Sequence, residues 1–161
     1  MLVRLSGINV ESVTDGEGIR AVVYLQGCMH ACSGCQNPTS HPLDGGYLAE
    51  TAAVLAELLS NPLVSGLTIS GGEPLLQPEA TLALARGAKM RGINVWVYTG
   101  FLLEELLQRP EARDILRVID TLVDGRFLLT ERDLALPYRG SRNQRILHSA
   151  DWAALIAATE H

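Results

Sequence analysis

Four short runs of β-branched and apolar residues recur along the chain: RAVVYLQ (20–26), LVSGLTI (63–69), INVWV (93–97) and IDTLV (119–123). Each ends in a polar or glycine-rich turn, respectively GCMHAC, SGGEP, YTG and DGRF. Their length and composition are those of buried strands. Between them the spacing becomes helical. Leu48, Ala52, Leu55 and Leu59 fall on one face, with Glu50 and Glu57 elsewhere. Segment 78–91 opens with Pro78 and Glu79 and closes with Lys89 and Arg91 before Gly92, an order that suits a helix dipole and a glycine stop. Segments 101–108 and 111–118 read as shorter helices separated by Pro110, and 150–159 as a last helix capped by Ser149. Alternating strands and helices predict an α/β fold with mostly parallel strands and right-handed crossovers. In such folds function gathers at the carboxyl ends of the strands, where all four turns lie. The chain is shorter than an eight-fold barrel of ~250 residues, so a short open partial barrel is expected, as a single domain over 1–161.

Composition narrows the class. Apolar residues make up 47% of the chain, enough for a core without disulfide staples. The formal net charge is -5 with both signs interspersed, which argues against a broad grip on nucleic acid or an anionic membrane. No apolar run approaches the ~18 residues of a membrane span, and the MLVRLSGINV terminus has no leader pattern. The expectation is a cytoplasmic protein with neither nucleic acid nor membrane as partner.

The stretch CMHACSGC holds all three cysteines, Cys28, Cys32 and Cys35. In a reducing compartment such clustering points to a metal or redox site. Thiolates select zinc, copper(I) or iron–sulfur clusters. A short loop with these spacings wraps three corners of a four-iron cubane and leaves one iron for a ligand that is not protein. Zinc competes, because His30 or His41 completes a Cys3His set. Three reduced thiols without metal are the remaining alternative.

Spacing C-x3-C-x2-C after the first of the four runs resembles the radical S-adenosylmethionine (SAM) superfamily. Ser70-Gly71-Gly72-Glu73-Pro74 is similar to that superfamily's glycine-glycine-glutamate segment. Within it, Asp15-Gly16-Glu17-Gly18-Ile19-Arg20 followed by YLQGC resembles the opening of glycyl-radical-enzyme activases. Segments VWVYTGF (95–101), LVDGRF (122–127) and LPYRGSRNQR (136–145) are similar to the branch that serves an anaerobic ribonucleotide reductase. The likeness runs from residue 7 to about 147.

This resemblance implies a radical SAM enzyme of oxidoreductase type. Cys28, Cys32 and Cys35 would hold a [4Fe–4S] cluster whose fourth iron binds SAM. Reductive cleavage would give a 5′-deoxyadenosyl radical, and that radical would install a glycyl radical on anaerobic ribonucleoside-triphosphate reductase. The implied partners are that reductase and a one-electron donor such as flavodoxin or ferredoxin. Implied cofactor contacts are Ser70, Gly71, Gly72, Glu73, Thr99, Asp124 and Ser141; implied partner contacts are Asp15, Gly16, Gly18, Asn143, Gln144 and Arg145. No catalytic side chain is implied beyond the cluster and cofactor. Gly34 and Gln36 flank Cys35 where an aromatic residue is usual in the superfamily. Alternatives in the same class are an activase of another glycyl-radical enzyme and a small-molecule enzyme such as 7-carboxy-7-deazaguanine synthase. The alternative in a different class is a non-catalytic zinc-binding module.

Overall fold

Side chains along the central strands sort into two sets. A computed structural model describes residues 1–160. Seven strands, β1 (Leu2–Ser12), β2 (Arg20–Leu25), β3 (Tyr47–Glu50), β4 (Gly66–Gly71), β5 (Asn94–Tyr98), β6 (Thr121–Asp124) and β7 (Arg145–His148), form one sheet in the order β3-β1-β2-β4-β5-β6-β7. Five helices accompany them: α1 (Thr51–Leu58), α2 (Pro78–Met90), α3 (Leu103–Leu106), α4 (Pro110–Leu116) and α5 (Ser149–Ala158). Successive strand residues face opposite ways. Ala21, Val23, Leu25, Leu67, Ile69, Val95, Val97 and Leu122 share one buried cluster with Leu58, Leu84, Leu106, Ile115 and Trp152 from the helices. Arg20, Val22, Tyr24, Thr68, Ser70, Trp96, Tyr98 and Val123 alternate with them and line the other face. That second face is polar and aromatic, and its cover is loops rather than helices.

The sheet is mixed, which corrects the expectation of mostly parallel strands. β2, β4, β5 and β6 run parallel to one another. β1 is antiparallel to β2 and to β3, and β7 is antiparallel to β6. These three flanking strands carry exposed or half-buried positions through most of their length. They therefore lack the continuous apolar run by which buried parallel strands are recognised.

Three helix boundaries also shift. Leu48 lies in β3 at 55% exposure, and α1 buries Thr51, Val54, Leu55 and Leu58 while Ala52 is exposed. Pro110 begins α4 at its first turn, where its missing N–H costs nothing. Ser149 is the first residue of α5; the residue before it, His148, donates its N–H to Asp151 Oδ2 at 2.7 Å. Helix α2 follows the expected limits. Trp152 is 1% exposed and donates from Nε1 to Leu116 O at 2.9 Å, tying α5 to α4. Among the described residues no helix is long and apolar enough to cross a membrane.

Arg20 opens the loop-covered face at 2% exposure. Its Nε donates to Thr68 Oγ1 at 2.7 Å, Nη1 to Glu17 O at 3.0 Å, and Nη2 to Leu67 O at 2.9 Å and Asn94 Oδ1 at 3.0 Å. It stacks over Trp96 with 5.2 Å from Cζ to the ring centroid. All these acceptors are neutral, and burial pulls the guanidinium down to about 10. Arg20→Met therefore strands several buried acceptors, and urea unfolding should show a loss of about 3 kcal/mol. Arg20→Lys recovers only part of it, because an ammonium cannot reproduce the planar fork.

Candidate iron–sulfur centre

The four turns picked out from the sequence follow β2, β4, β5 and β6, which are neighbours in the sheet. They stand side by side at one edge, the carboxyl ends of the parallel strands. The cysteine turn leaves β2 through Gly27 (φ +105), and Ala31 (φ +51) and Gly34 (φ +74) bend it further. Its base is fixed by Gly27 N–H to Ser40 O at 2.7 Å and Cys28 N–H to His41 O at 3.1 Å. Cys35 N–H reaches Cys32 O at 3.2 Å, and Cys35 Sγ accepts from Asn37 N–H at 3.4 Å. All three cysteines are free and partly exposed.

Burial pushes the Cys28 thiol up; an N–H from His30 opposes this, and the charges of Glu73, Cys32 and Cys35 add to it. Three thiols and a carboxylate thus share one neighbourhood and repel one another's charge. A cationic metal core relieves that repulsion. Among the described residues no three His, Cys, Asp or Glu side chains converge as ligands of a single ion do. Three thiolates from one turn are soft donors of the kind that iron–sulfur clusters take. His30, one proposed fourth zinc ligand, is engaged elsewhere: its Nε2 lies 2.7 Å from Glu73 Oε2. The donor set fits a four-iron cluster.

The SGGEP turn packs against the base of the cysteine turn. Gly72 N–H donates to Leu25 O and Glu73 N–H to Gly27 O, both at 2.8 Å. An alanine Cβ at Gly71 would stand 2.3 Å from Leu25 N, and one at Gly72 2.3 Å from Gly27 O. These glycines allow one stretch of backbone to approach another within the chain. Glu73 is 1% exposed and Thr99 5%. Thr99 Oγ1 donates to Glu73 Oε1 at 2.9 Å. Ser70 lies at the end of β4 on the loop-covered face, opposite Tyr24 in register.

The other predicted residues come from the turn after β6, the 136–145 segment, which meets Gln36 beside Cys35 at Gly140, and the loop between β1 and β2. Asp124 is fully buried and bound by Arg145, with Nε to Oδ1 at 3.0 Å and Nη2 to Oδ2 at 2.5 Å; it also accepts Leu103 N–H at 2.8 Å. Arg145 further bridges to Glu104 at 2.9 Å. Ser141 is fully buried and accepts Leu128 N–H at 3.2 Å. Gln144 Oε1 takes Gly140 N–H at 2.9 Å and Ser141 N–H at 3.1 Å, and its Nε2 donates to Gly125 O at 3.1 Å. Asn143 Nδ2 donates to Arg126 O at 2.7 Å, while its buried Oδ1 has no partner among the described residues. Gln144 and Arg145 therefore shape the segment from within.

Asp15, Gly16 and Gly18 lie in the loop between β1 and β2, which folds back over the second face of the sheet. Asp15 O accepts Thr68 Oγ1 at 2.6 Å, Asp15 Oδ2 faces Tyr24 OH at 3.4 Å, and a Cβ at Gly16 would meet Arg20 and Trp96. Gly18 abuts Ser65 at the amino ends of the strands. An open hollow there, between Arg20, Trp96, Asp120 and His148, is remote in the fold from the cysteine turn.

Two features escape sequence reasoning. One is the engagement of His30, which also meets Phe101 edge-on at 4.7 Å between ring centroids, with Arg109 over the other ring at 4.9 Å. The second is an aromatic lining. Tyr98 OH donates to Tyr138 O at 2.6 Å, and Trp96 meets Tyr138 edge-on at 5.5 Å. Burial, then Asp15, raises Tyr24 to about 12; burial raises Tyr98 as well. Both hydroxyls keep their protons at neutral pH. The signal for the lining was present in Trp96 and Tyr98, which alternate with Val95 and Val97.

A half-buried three-thiol turn joined to a glycine-rich turn at the carboxyl ends of the parallel strands of a mixed sheet is the site of an iron–sulfur protein of the α/β class. The family described as the 4Fe-4S single cluster domain matches residues 14–147. The chain is 38% identical over 146 residues to the anaerobic ribonucleoside-triphosphate reductase-activating protein of Haemophilus influenzae, covering 84% of this chain and 91% of that one. Proteins of the same name from Enterobacteria phage T4 and Escherichia coli K12 are 31% and 30% identical, covering 85% and 84% of this chain and 88% and 92% of theirs. The chain belongs to the 4Fe-4S single cluster family, in its group of anaerobic ribonucleoside-triphosphate reductase-activating proteins.

Proposed function

We propose that the chain is a radical SAM activase that installs a glycyl radical on an anaerobic ribonucleotide reductase. The reading is carried by one juxtaposition, the three-thiol turn joined to the Gly71–Glu73 turn, in a chain alike its relatives over most of both lengths. In this reading Cys28, Cys32 and Cys35 hold a four-iron cluster and leave one iron for the amino and carboxylate groups of SAM. The chemistry supplied by that pair, when bound and given one electron by a donor such as flavodoxin or ferredoxin, is SAM cleavage to methionine and a 5′-deoxyadenosyl radical that takes hydrogen from a glycine of the reductase.

The rest falls to the chain. The Asn37 N–H donates to Cys35 Sγ at 3.4 Å, and at Cys28 the His30 N–H opposes the upward push of burial. Ser70, Gly71, Gly72, Glu73 and Thr99 form the wall beside the cysteine turn, and Asp124 and Ser141 brace the neighbouring turn. The loop-covered face then serves as the interior of a short open partial barrel, with the whole chain as a single radical SAM domain.

A carbon radical needs an enclosed site, and no helix closes this face. A reductase loop seated between the Asp15–Gly18 loop and the segment holding Asn143, Gln144 and Arg145 would close it. Exposed apolar side chains at Met29 (74%), Leu128 (43%) and Leu129 (50%) support a protein partner rather than a small metabolite. The proposed setting is cytoplasmic.

Anaerobic reconstitution with iron and sulfide tests the reading. A brown protein that releases 5′-deoxyadenosine and methionine under dithionite, and that gives a glycyl doublet in the electron paramagnetic resonance spectrum when mixed with the reductase, is the expected result. A colourless protein with one tightly held zinc, or SAM cleavage with no glycyl signal, overturns it.

A further inference from the structure

The Glu73 carboxylate has no room for a ligand. Its Oε1 accepts Leu75 N–H and Thr99 Oγ1–H, each at 2.9 Å, and its Oε2 accepts Gly100 N–H at 2.8 Å and His30 Nε2 at 2.7 Å. A carboxylate offers about four lone-pair sites, and all are used. The donors come from three separate turns: His30 after β2, Leu75 after β4, and Thr99 and Gly100 after β5.

The His30 arm is built in with equal care. Its side chain is 8% exposed. Phe101 holds the ring edge-on. An alanine Cβ at Gly100 would lie 2.5 Å from His30 Cδ2, so glycine at that position makes space for the ring. The carboxylate selects the imidazole form with hydrogen on Nε2, and that donor is present whether or not the ring is charged.

We infer that Glu73 is a positioning hub, and that the His30–Glu73 hydrogen bond is the clamp that sets the cysteine turn against the turns after β4 and β5. His30 stands between Cys28 and Cys32, so the clamp acts at the middle of the turn while the backbone bonds of Gly27 and Cys28 act at its base. Glu73 then acts through His30, and a ligand ammonium at this edge meets backbone carbonyls instead of the carboxylate. The inference rests on the cluster reading only for what the turn holds; the clamp itself exists without metal.

Two arms test it. In the reduced apoprotein, the thiols are titrated with an aromatic disulfide reagent under anaerobic conditions. His30→Ala should react about tenfold faster at Cys28 and Cys32, since loss of a hydrogen bond to a buried carboxylate lets the turn open locally. His30→Gln, whose amide nitrogen reaches the place of Nε2, should stay near wild type. Gly100→Ala, which keeps His30 but displaces its ring, should behave like His30→Ala and keeps the test open if His30→Ala fails to fold. Leu58→Ala controls for general destabilisation: it should lower the melting temperature without raising thiol rates.

In the second arm, reconstituted His30→Ala should hold less iron and show a shifted spectrum of the reduced cluster, with His30→Gln restoring both. Equal thiol rates in wild type, His30→Ala and Gly100→Ala overturn the clamp, as do equal rates in His30→Ala and His30→Gln, or an unchanged reduced-cluster spectrum in His30→Ala. Wild-type protein that takes up no cluster removes the cluster reading alone, and the thiol rates still decide the clamp.

Discussion

Single replacement of Cys28, Cys32 or Cys35 by alanine should leave a folded chain that takes up no four-iron cluster and, on the proposed function, raises no glycyl radical on the reductase. The fold survives because none of the three cysteines belongs to the core. All are partly exposed, and the helix-covered cluster of Leu5, Val23, Ile69, Val97, Leu122 and Trp152 does not touch the turn's role. A surface-type change of this kind moves stability by about 0.5 kcal/mol or less. Function should not survive, because His30 is held by Glu73 at 2.7 Å and, among the described residues, no other set of three His, Cys, Asp or Glu side chains converges to take over. Loss of an outer partner of a metal ligand typically costs about 10–100-fold in affinity or activity, so loss of a ligand itself should exceed a factor of about a hundred. The check is iron content, visible absorption and the glycyl signal on each variant, beside a melting curve. A cysteine variant that keeps its cluster would mean that the thiols are not the ligands. The contrast with His30→Ala is informative, since that variant should weaken the cluster without abolishing it.

What sequence alone reveals here follows from how each feature is written in it. Strands β2, β4, β5 and β6 were legible because burial on two sides gives short unbroken apolar runs. The four turns were legible because glycine and cysteine are rare signals in such positions. The order of elements then placed the turns at one edge without any geometry. Strands β1, β3 and β7 were not legible, because one-sided or partial exposure leaves them polar at most positions. The reach of Leu48 into a helical pattern was a coincidence of spacing, settled by pairing of Tyr47–Glu50 with β1. Long-range side-chain links left no trace at all. His30 and Glu73 are 43 residues apart, Tyr98 and Tyr138 40, and neither pairing is implied by local pattern. The same holds for Asp124 and Arg145. The resemblance implied a cofactor contact for Asp124 and a partner contact for Arg145, and the structure adds that each binds the other.

Gly71→Ala should be strongly destabilising, and two other glycines separate its causes. At Gly7 an added Cβ meets nothing within 4 Å, and Gly7→Ala should change stability by about 0.5 kcal/mol or less. At Gly92, just past the end of α2, space is also open but φ is +73. Gly92→Ala meets only the backbone penalty of the left-handed region, about 1 kcal/mol. At Gly71 both terms apply: φ is +104, and the Cβ would stand 2.3 Å from Leu25 N, 2.5 Å from Leu25 O and 2.7 Å from Tyr24 C. Those atoms are backbone of β2, locked in parallel register with β4 and roofed by the core, so they cannot step aside. Steric overlap that forces two central strands apart should cost about 4 kcal/mol or more, a size reserved for such faults. For a chain of this length that lowers the melting temperature by about 10 °C or more. Displacement at Gly71 also pulls on Gly72 N–H to Leu25 O and Glu73 N–H to Gly27 O, the bonds beneath the cysteine turn. Loss of cluster uptake should therefore accompany the loss of stability in Gly71→Ala and be absent from Gly7→Ala and Gly92→Ala. Denaturant midpoints and iron content measured on the three variants check both statements, and equal midpoints would show that β2 and β4 are free to part at this point.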